Sequence, residues 1–218
     1  MTIRSLDLET WPRREHFRFF LEYDQPFFNV CVDVDVSALL RRCRAPGGPS
    51  FFLASLWLSL RAANEVEEFH YRIRGKEVVV HDVVHGGSTV LRDDGTFCFA
   101  YFDFASDFET FATAAGEALG SARMEGSLDP RDDRDDLIHY SVIPWISFTS
   151  FSHARRRNPD DSTPKIVFGR YRGDSGAERM PVSVEVHHAL MDGLHVGRFF
   201  ERFQHHVDAF DPGVGGSG

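Results

Sequence analysis

Val184 to Phe200 reads VEVHHALMDGLHVGRFF, and its two halves follow different periods. Val182, Val184 and Val186 alternate with Ser183 and Glu185, the period of a strand with one apolar face. His188 continues the valine parity, and His187 falls on the other side. From Gly193 to about Ala209 the period changes: Val196, Phe199, Phe200, Phe203 and Val207 recur at helical spacing. A strand therefore runs into a helix, with Asp192 at the junction where an N-cap belongs. Three readings of the histidines stand open. They can be core residues beside a capping Asp. They can be metal ligands, using His187, His188, Asp192 and His195, although strand parity sends the adjacent imidazoles apart. Or His188 is a general base, with Asp192 supporting its loop.

Upstream, Phe28 to Val36 alternates strictly, with Phe28, Val30, Val32, Val34 and Val36 on one side and Asn29, Cys31, Asp33 and Asp35 on the other. It reads as a strand with one buried face and a polar edge. Before it, WPRREHFRFF predicts an amphipathic helix from Trp11 to about Tyr23, with Pro12 in the tolerated first turn. After it, Ser37 is placed to cap a short basic helix to about Arg44. Ser50 is placed to cap FFLASLWLSLRAANEV, apolar nearly all round and so buried. FHYRIRGKEVVVHDVV predicts a hairpin turning at Gly75-Lys76. STVL and TFCFAYF flank a turn at Asp93-Asp94-Gly95. A helix starts near Ser106 with Glu109 completing a capping pattern. DPRDDRDD, Asp129 to Asp136, reads as a solvated charged loop. LIHYSVI, WISFTSF, KIVFGRY and MPVSVEV read as strands, and GVGGSG as a flexible tail.

Helices and strands mix without regular alternation, which predicts an α+β fold: a two-layer α/β sandwich with a mixed sheet. The 218 residues suit one domain, taken as 1–212 with a tail at 213–218. A net charge of −9 gives no basic field for nucleic acid or an acidic membrane. Three irregularly spaced cysteines read as free thiols in a reducing compartment, and no run is long enough to span a bilayer; the expected location is cytoplasmic. The 21 Phe fit either an aromatic core or an apolar pocket.

Three stretches, in order, resemble the chloramphenicol acetyltransferase family: WPRREHFRFF at the first helix, PWISFTSF at residues 144–151, and VHHALMDGLHVGRFFERFQ near the end. The resemblance runs from about Leu6 to Phe210. It implies direct acetyl transfer from acetyl-CoA to a hydroxyl of chloramphenicol, with His188 as the base and Ser150 as the donor to the tetrahedral oxyanion. It also implies a structural pair between Asp192 and Arg13, and a CoA contact through Arg170 and Tyr171; the run Arg155 to Arg157 reads either as a further source of phosphate contacts or as a solvated loop. Phe19, Phe20, Asp24 and Phe28 would line the acceptor pocket. The family fold is a CoA-dependent acyltransferase sandwich that forms homotrimers with sites between subunits; no permanent cofactor or metal is implied.

The chain departs from the family pattern at Asp24 and Pro26 in the pocket wall, at Val167 where the family has Thr near the CoA site, and at Ser50 where a basic residue is expected. Another small hydrophobic alcohol or acyl-CoA is therefore an alternative, and a non-catalytic sequestering protein is a third reading. The acyltransferase core of 2-oxoacid dehydrogenase complexes shares a related fold, but its usual Asp-His-Arg is His-His here.

Overall fold

The structure is a computed structural model and describes residues 2–131, 133–155, 158 and 160–211. The predicted Gly-rich tail and two of the three consecutive arginines, Arg156 and Arg157, lie outside the described residues.

A six-stranded mixed sheet in the order β2-β9-β8-β7-β5-β6 carries the architecture. Its strands are β2 (Phe27–Asp35), β5 (His85–Leu91), β6 (Phe97–Phe102), β7 (Leu137–Ile143), β8 (Lys165–Gly169) and β9 (Arg179–His187). Pairs β5–β7 and β7–β8 are parallel and the rest antiparallel. Helices α2 (Ser37–Arg44), α3 (Phe51–Asn64), α4 (Phe108–Glu125) and α5 (Gly193–Ala209) form the second layer. A small sheet, β1 (Ile3–Ser5), β4 (Glu77–His81) and β3 (Tyr71–Arg74), stands beside it with helix α1 (Arg14–Phe20). This is the expected two-layer α+β sandwich.

The core follows the sequence pattern. Leu53 to Leu60, Ala62 and Ala63 of α3 are all buried, because α3 packs on α2, α4, α5 and β5 at once. Val182, Val184 and Val186 of β9 join Phe199, Phe203 and Val207 of α5 in one cluster. Each such buried side chain contributes roughly 1.5–3 kcal/mol. The β3–β4 hairpin turns at Gly75, whose φ of +62° an L side chain rarely adopts.

Four local expectations are corrected. The first helix ends at Phe20 rather than Tyr23. Ser37 does not cap α2: its own N–H is held by Asp35 Oδ1, and its hydroxyl faces the backbone of Glu178. The α4 cap is Asp107, which accepts the Thr110 N–H at 2.8 Å, not Ser106. WISFTSF forms no strand; residues 144–151 make a turn and an extended crossing. That crossing needs Gly169, where a Cβ would sit 2.7 Å from Pro181 and 2.8 Å from the Phe148 ring.

The acidic run is also not simply solvated. Asp136 is buried, paired with Arg134 at 3.0 Å. Asp135 meets Arg74 at 2.8 Å and His81 at 3.1 Å. Its backbone carbonyl accepts from the fully buried Arg72.

Candidate active site

Strand β9 ends at His187, and His188 occupies the turn before α5. The His188 N–H donates to Pro26 O at 2.7 Å, which ties the turn to the start of β2. Its ring lies half-buried between two phenylalanines: Phe20 stacks at 3.9 Å between centroids, 11° from parallel, and Phe28 leans in at 4.6 Å. Nδ1 faces Met191 O at 3.2 Å. A carbonyl only accepts, so Nδ1 carries the proton, and Nε2 keeps its lone pair in the neutral ring.

Arg13 and Asp192 hold this turn. The Arg13 guanidinium donates to Asp192 Oδ2 at 2.5 Å and to His188 O at 3.2 Å. Asp192 also caps α5, accepting the Leu194 N–H at 3.0 Å, and its own N–H donates to His195 Nδ1 at 3.0 Å. Burial alone would raise the Asp192 carboxyl, but Arg13, His195 and the Leu194 N–H outweigh it and hold it below its usual range.

The geometry lends the metal reading no support. His187 Nδ1 accepts the Ala189 N–H, His188 Nδ1 serves Met191 O, and His195 spans Asp192 and Glu68. Among the described residues no group of three or more His, Cys, Asp or Glu is placed to hold a metal ion.

Parity separates two further sets. Phe28 and the valines of β9 face the helices. Asn29, Asp33, Ser183, Glu185 and His187 take the opposite face, where Asn29 donates to Ser183 Oγ at 2.7 Å. Residues 144–155 run across that helix-free face. The Arg170 N–H donates to Ile146 O, Ser147 hydrogen-bonds Arg172, and the His153 N–H reaches Glu185 Oε2. Ser150 is an exposed residue of this crossing. His188 and Ser150 thus sit on opposite sides of one sheet, and no hydrogen bond joins them.

The anchor of the crossing is Arg155, which the sequence offers to CoA phosphates and which is instead committed to two acids. Arg155 is buried, donates to Glu185 at 2.7 Å and Asp161 at 2.9 Å, and lies 3.5 Å above the Phe27 ring. Burial would raise Glu185, but His153 and Arg155 hold it at about 2. Burial, then the charge of Arg155, pushes His187 down to about 4. An acid on a strand face shared with Ser183 and His187 was the available signal; its partner lies thirty residues upstream.

Of the expected pocket residues, Phe20 and Phe28 touch His188, and Phe19 touches Phe20 and Tyr23. Asp24 is exposed in the single chain. Arg170 and Tyr171 line a cavity of about 180 Å³ with Phe51, Phe52 and Ser55. Tyr171 meets Phe51 edge-on and lies under the Arg44 guanidinium. Val167 is fully buried in β8. Ser50 caps α3 through the Leu53 N–H.

The comparisons with known proteins agree with one another. The family model described as chloramphenicol acetyltransferase matches residues 1–204. A Streptomyces acrimycini chloramphenicol acetyltransferase is 31% identical over 206 residues, covering 93% of each chain. One from Escherichia coli is 28% identical over 211 residues, covering 96% of each. A solved chloramphenicol acetyltransferase structure superposes with a TM-score of 0.87 at 28% identity, covering 94% of this chain and 100% of that one. The Azotobacter vinelandii dihydrolipoamide acetyltransferase, at 17% identity and TM-score 0.66, shares the fold alone. With the His188 turn and the Arg13–Asp192 pair in place, these matches are decisive: the chain belongs to the chloramphenicol acetyltransferase family.

Proposed function

We propose that the protein is an acetyl-CoA-dependent O-acetyltransferase that acts on chloramphenicol or a related hydroxyl compound, within a single domain that ends near residue 212. One observation carries the reading: the His188 ring is fixed between Phe20 and Phe28 with Nδ1 committed to Met191 O, so Nε2 is the free base. Nε2 takes the proton as the acceptor oxygen attacks the thioester carbonyl. The tetrahedral adduct collapses, the C–S bond breaks, and the thiolate leaves with the proton that His188 held. The products are an acetyl ester and free CoA. A base of this kind is typically worth about 10²–10⁴ in rate, and the Ser150 hydroxyl, as oxyanion donor, about 10²–10³.

Because the sheet separates His188 from Ser150, a site that uses both takes them from two chains. That supports the homotrimer with intersubunit sites that the family resemblance implies. Edge strand β2, with its polar face, is compatible with such an interface. Arg170 and Tyr171, beside the 180 Å³ cavity, are assigned to the CoA adenosine; an Arg can pair with phosphate and a Tyr face can stack. Phe19, Phe20 and Phe28 form the acceptor wall next to His188. Among the described residues no helix is long and apolar enough to cross a membrane.

The test is thiol release from acetyl-CoA with chloramphenicol, beside His188→Ala. Release that requires chloramphenicol and disappears in the variant supports the reaction and its base. Chloramphenicol binding that survives in the variant, with no release by the wild type, identifies a sequestering protein instead.

A further inference from the structure

A larger concavity, about 740 Å³, opens on the helix-free face of the sheet. His139, Ser141 and Lys165 project from adjacent strands into it, and Tyr101 closes one side. His153 and Ala154, three and four residues beyond Ser150, form another wall. The concavity therefore adjoins the segment that carries the proposed oxyanion donor.

Its lining is polar in a specific way. Most of its cations are already matched: Arg74 pairs with Asp135, Arg131 with Asp133 and Arg134 with Asp136, while the Asp160 carboxylate accepts only the Gly75 N–H among the described residues. Lys165 differs. Its half-buried ammonium donates to Ala154 O at 3.2 Å, and among the described residues it has no ion pair. The charges that act on it are Arg155, Asp161 and Glu185. Arg155 already holds both acids, at 2.9 and 2.7 Å. Burial and Arg155 both work against the ammonium. Beside it, burial pushes His139 down to about 4, so that ring is a neutral hydrogen-bonding group at pH 7.

An apolar alcohol filling this space would cover Lys165 and His139 without giving either a partner, which costs free energy. An acceptor with an anion would instead give the ammonium a charge-assisted hydrogen bond. Among the described residues Lys165 is the one cation of the lining without an ion pair, and one cation suits a singly charged group. We infer that this concavity selects hydroxyl compounds that also carry a carboxylate, with Lys165 pairing the carboxylate and His139 hydrogen-bonding the acceptor. The inference rests on the acetyltransferase reading and names a substrate class for it. The transfer balances as above: the hydroxyl exchanges its proton for acetyl, CoA leaves as the thiol, and the carboxylate is unchanged.

The experiment compares 3-phenyl-1-propanol with 4-(3-hydroxypropyl)benzoate, by thiol release from acetyl-CoA and by calorimetric binding without it. Wild type, Lys165→Met and Lys165→Arg are run together. The expected result is a preference for the benzoate of roughly 10-fold or more in the wild type, lost in Lys165→Met and partly restored in Lys165→Arg. Equal use of the two alcohols, or a preference that survives Lys165→Met, overturns the inference. A Lys165-dependent binding preference without thiol release supports the inference and sinks the acetyltransferase reading, so the two failures are distinguishable.

Discussion

Replacing Asp192 by Ala removes two things that the structure separates. The first is the α5 cap, the Leu194 N–H bond at 3.0 Å, worth about 1 kcal/mol. The second is the partner of Arg13, 2.5 Å away. A hydrogen bond between charged groups is worth about 1.5–3 kcal/mol, but the Asp192 side chain is 36% exposed, and screening reduces this to about 1–2 kcal/mol. The sum is about 2–3 kcal/mol, a fall in Tm of about 4–12 °C for a chain of this size. Asp192→Asn keeps a capping oxygen and loses only the charge, so its fall should be smaller, about 2–8 °C. Both variants should lose activity, because Arg13 also holds the His188 carbonyl. Thermal unfolding followed by circular dichroism, at one fixed protomer concentration, measures the difference. An Ala variant within 2 °C of wild type, or an Asn variant as unstable as Ala, refutes the two-part reasoning.

Ser150→Ala should lower kcat about 10²–10³-fold while leaving Tm unchanged, since Ser150 is exposed; a stable variant with full kcat removes Ser150 from the mechanism. Stability should fall with pH below about 6.5, where an unfolded His begins to take up protons. The reason is that His139 and His187 stay neutral in the fold down to about 4, so the unfolded chain gains protons first. The urea midpoint should drop between pH 7.5 and pH 5, and His187→Gln should flatten the drop; an unchanged midpoint contradicts the burial argument. Glu185, held at about 2, adds stability that is present above about pH 4.3 and lost as pH falls from there. Glu185→Gln should therefore lessen the further loss between pH 4 and 3.

The alternation of Phe28 to Val36 and the change of period after His188 placed β2, β9 and α5 within a residue or two, because burial on one face leaves a mark at every second or fourth position. Caps were harder to read. Ser106 and Asp107 are both good N-caps, and only the backbone path selects Asp107. The crossing at residues 144–151 looked like a strand because Trp145, Ile146, Phe148 and Phe151 are apolar; it pairs with no strand, since it lies across the sheet face. The acidic run hid Asp135 because its partners Arg74 and His81 come from distant strands, and it hid Asp136 because burial beside Arg134 depends on how the run packs. At the site, His188, Arg13 and Asp192 were legible as a set. The position of Ser150 across the sheet from His188 was not, because it depends on how a loop folds over a face.

The central claim is an acetyltransferase site completed by a second chain. It is tested most directly by refolding His188→Ala and Ser150→Ala chains together and measuring chloramphenicol-dependent thiol release. Mixed assemblies contain interfaces with an intact His188 from one chain and an intact Ser150 from the other. The account predicts activity well above the sum of the two variants refolded apart. Activity no greater than that sum would contradict it.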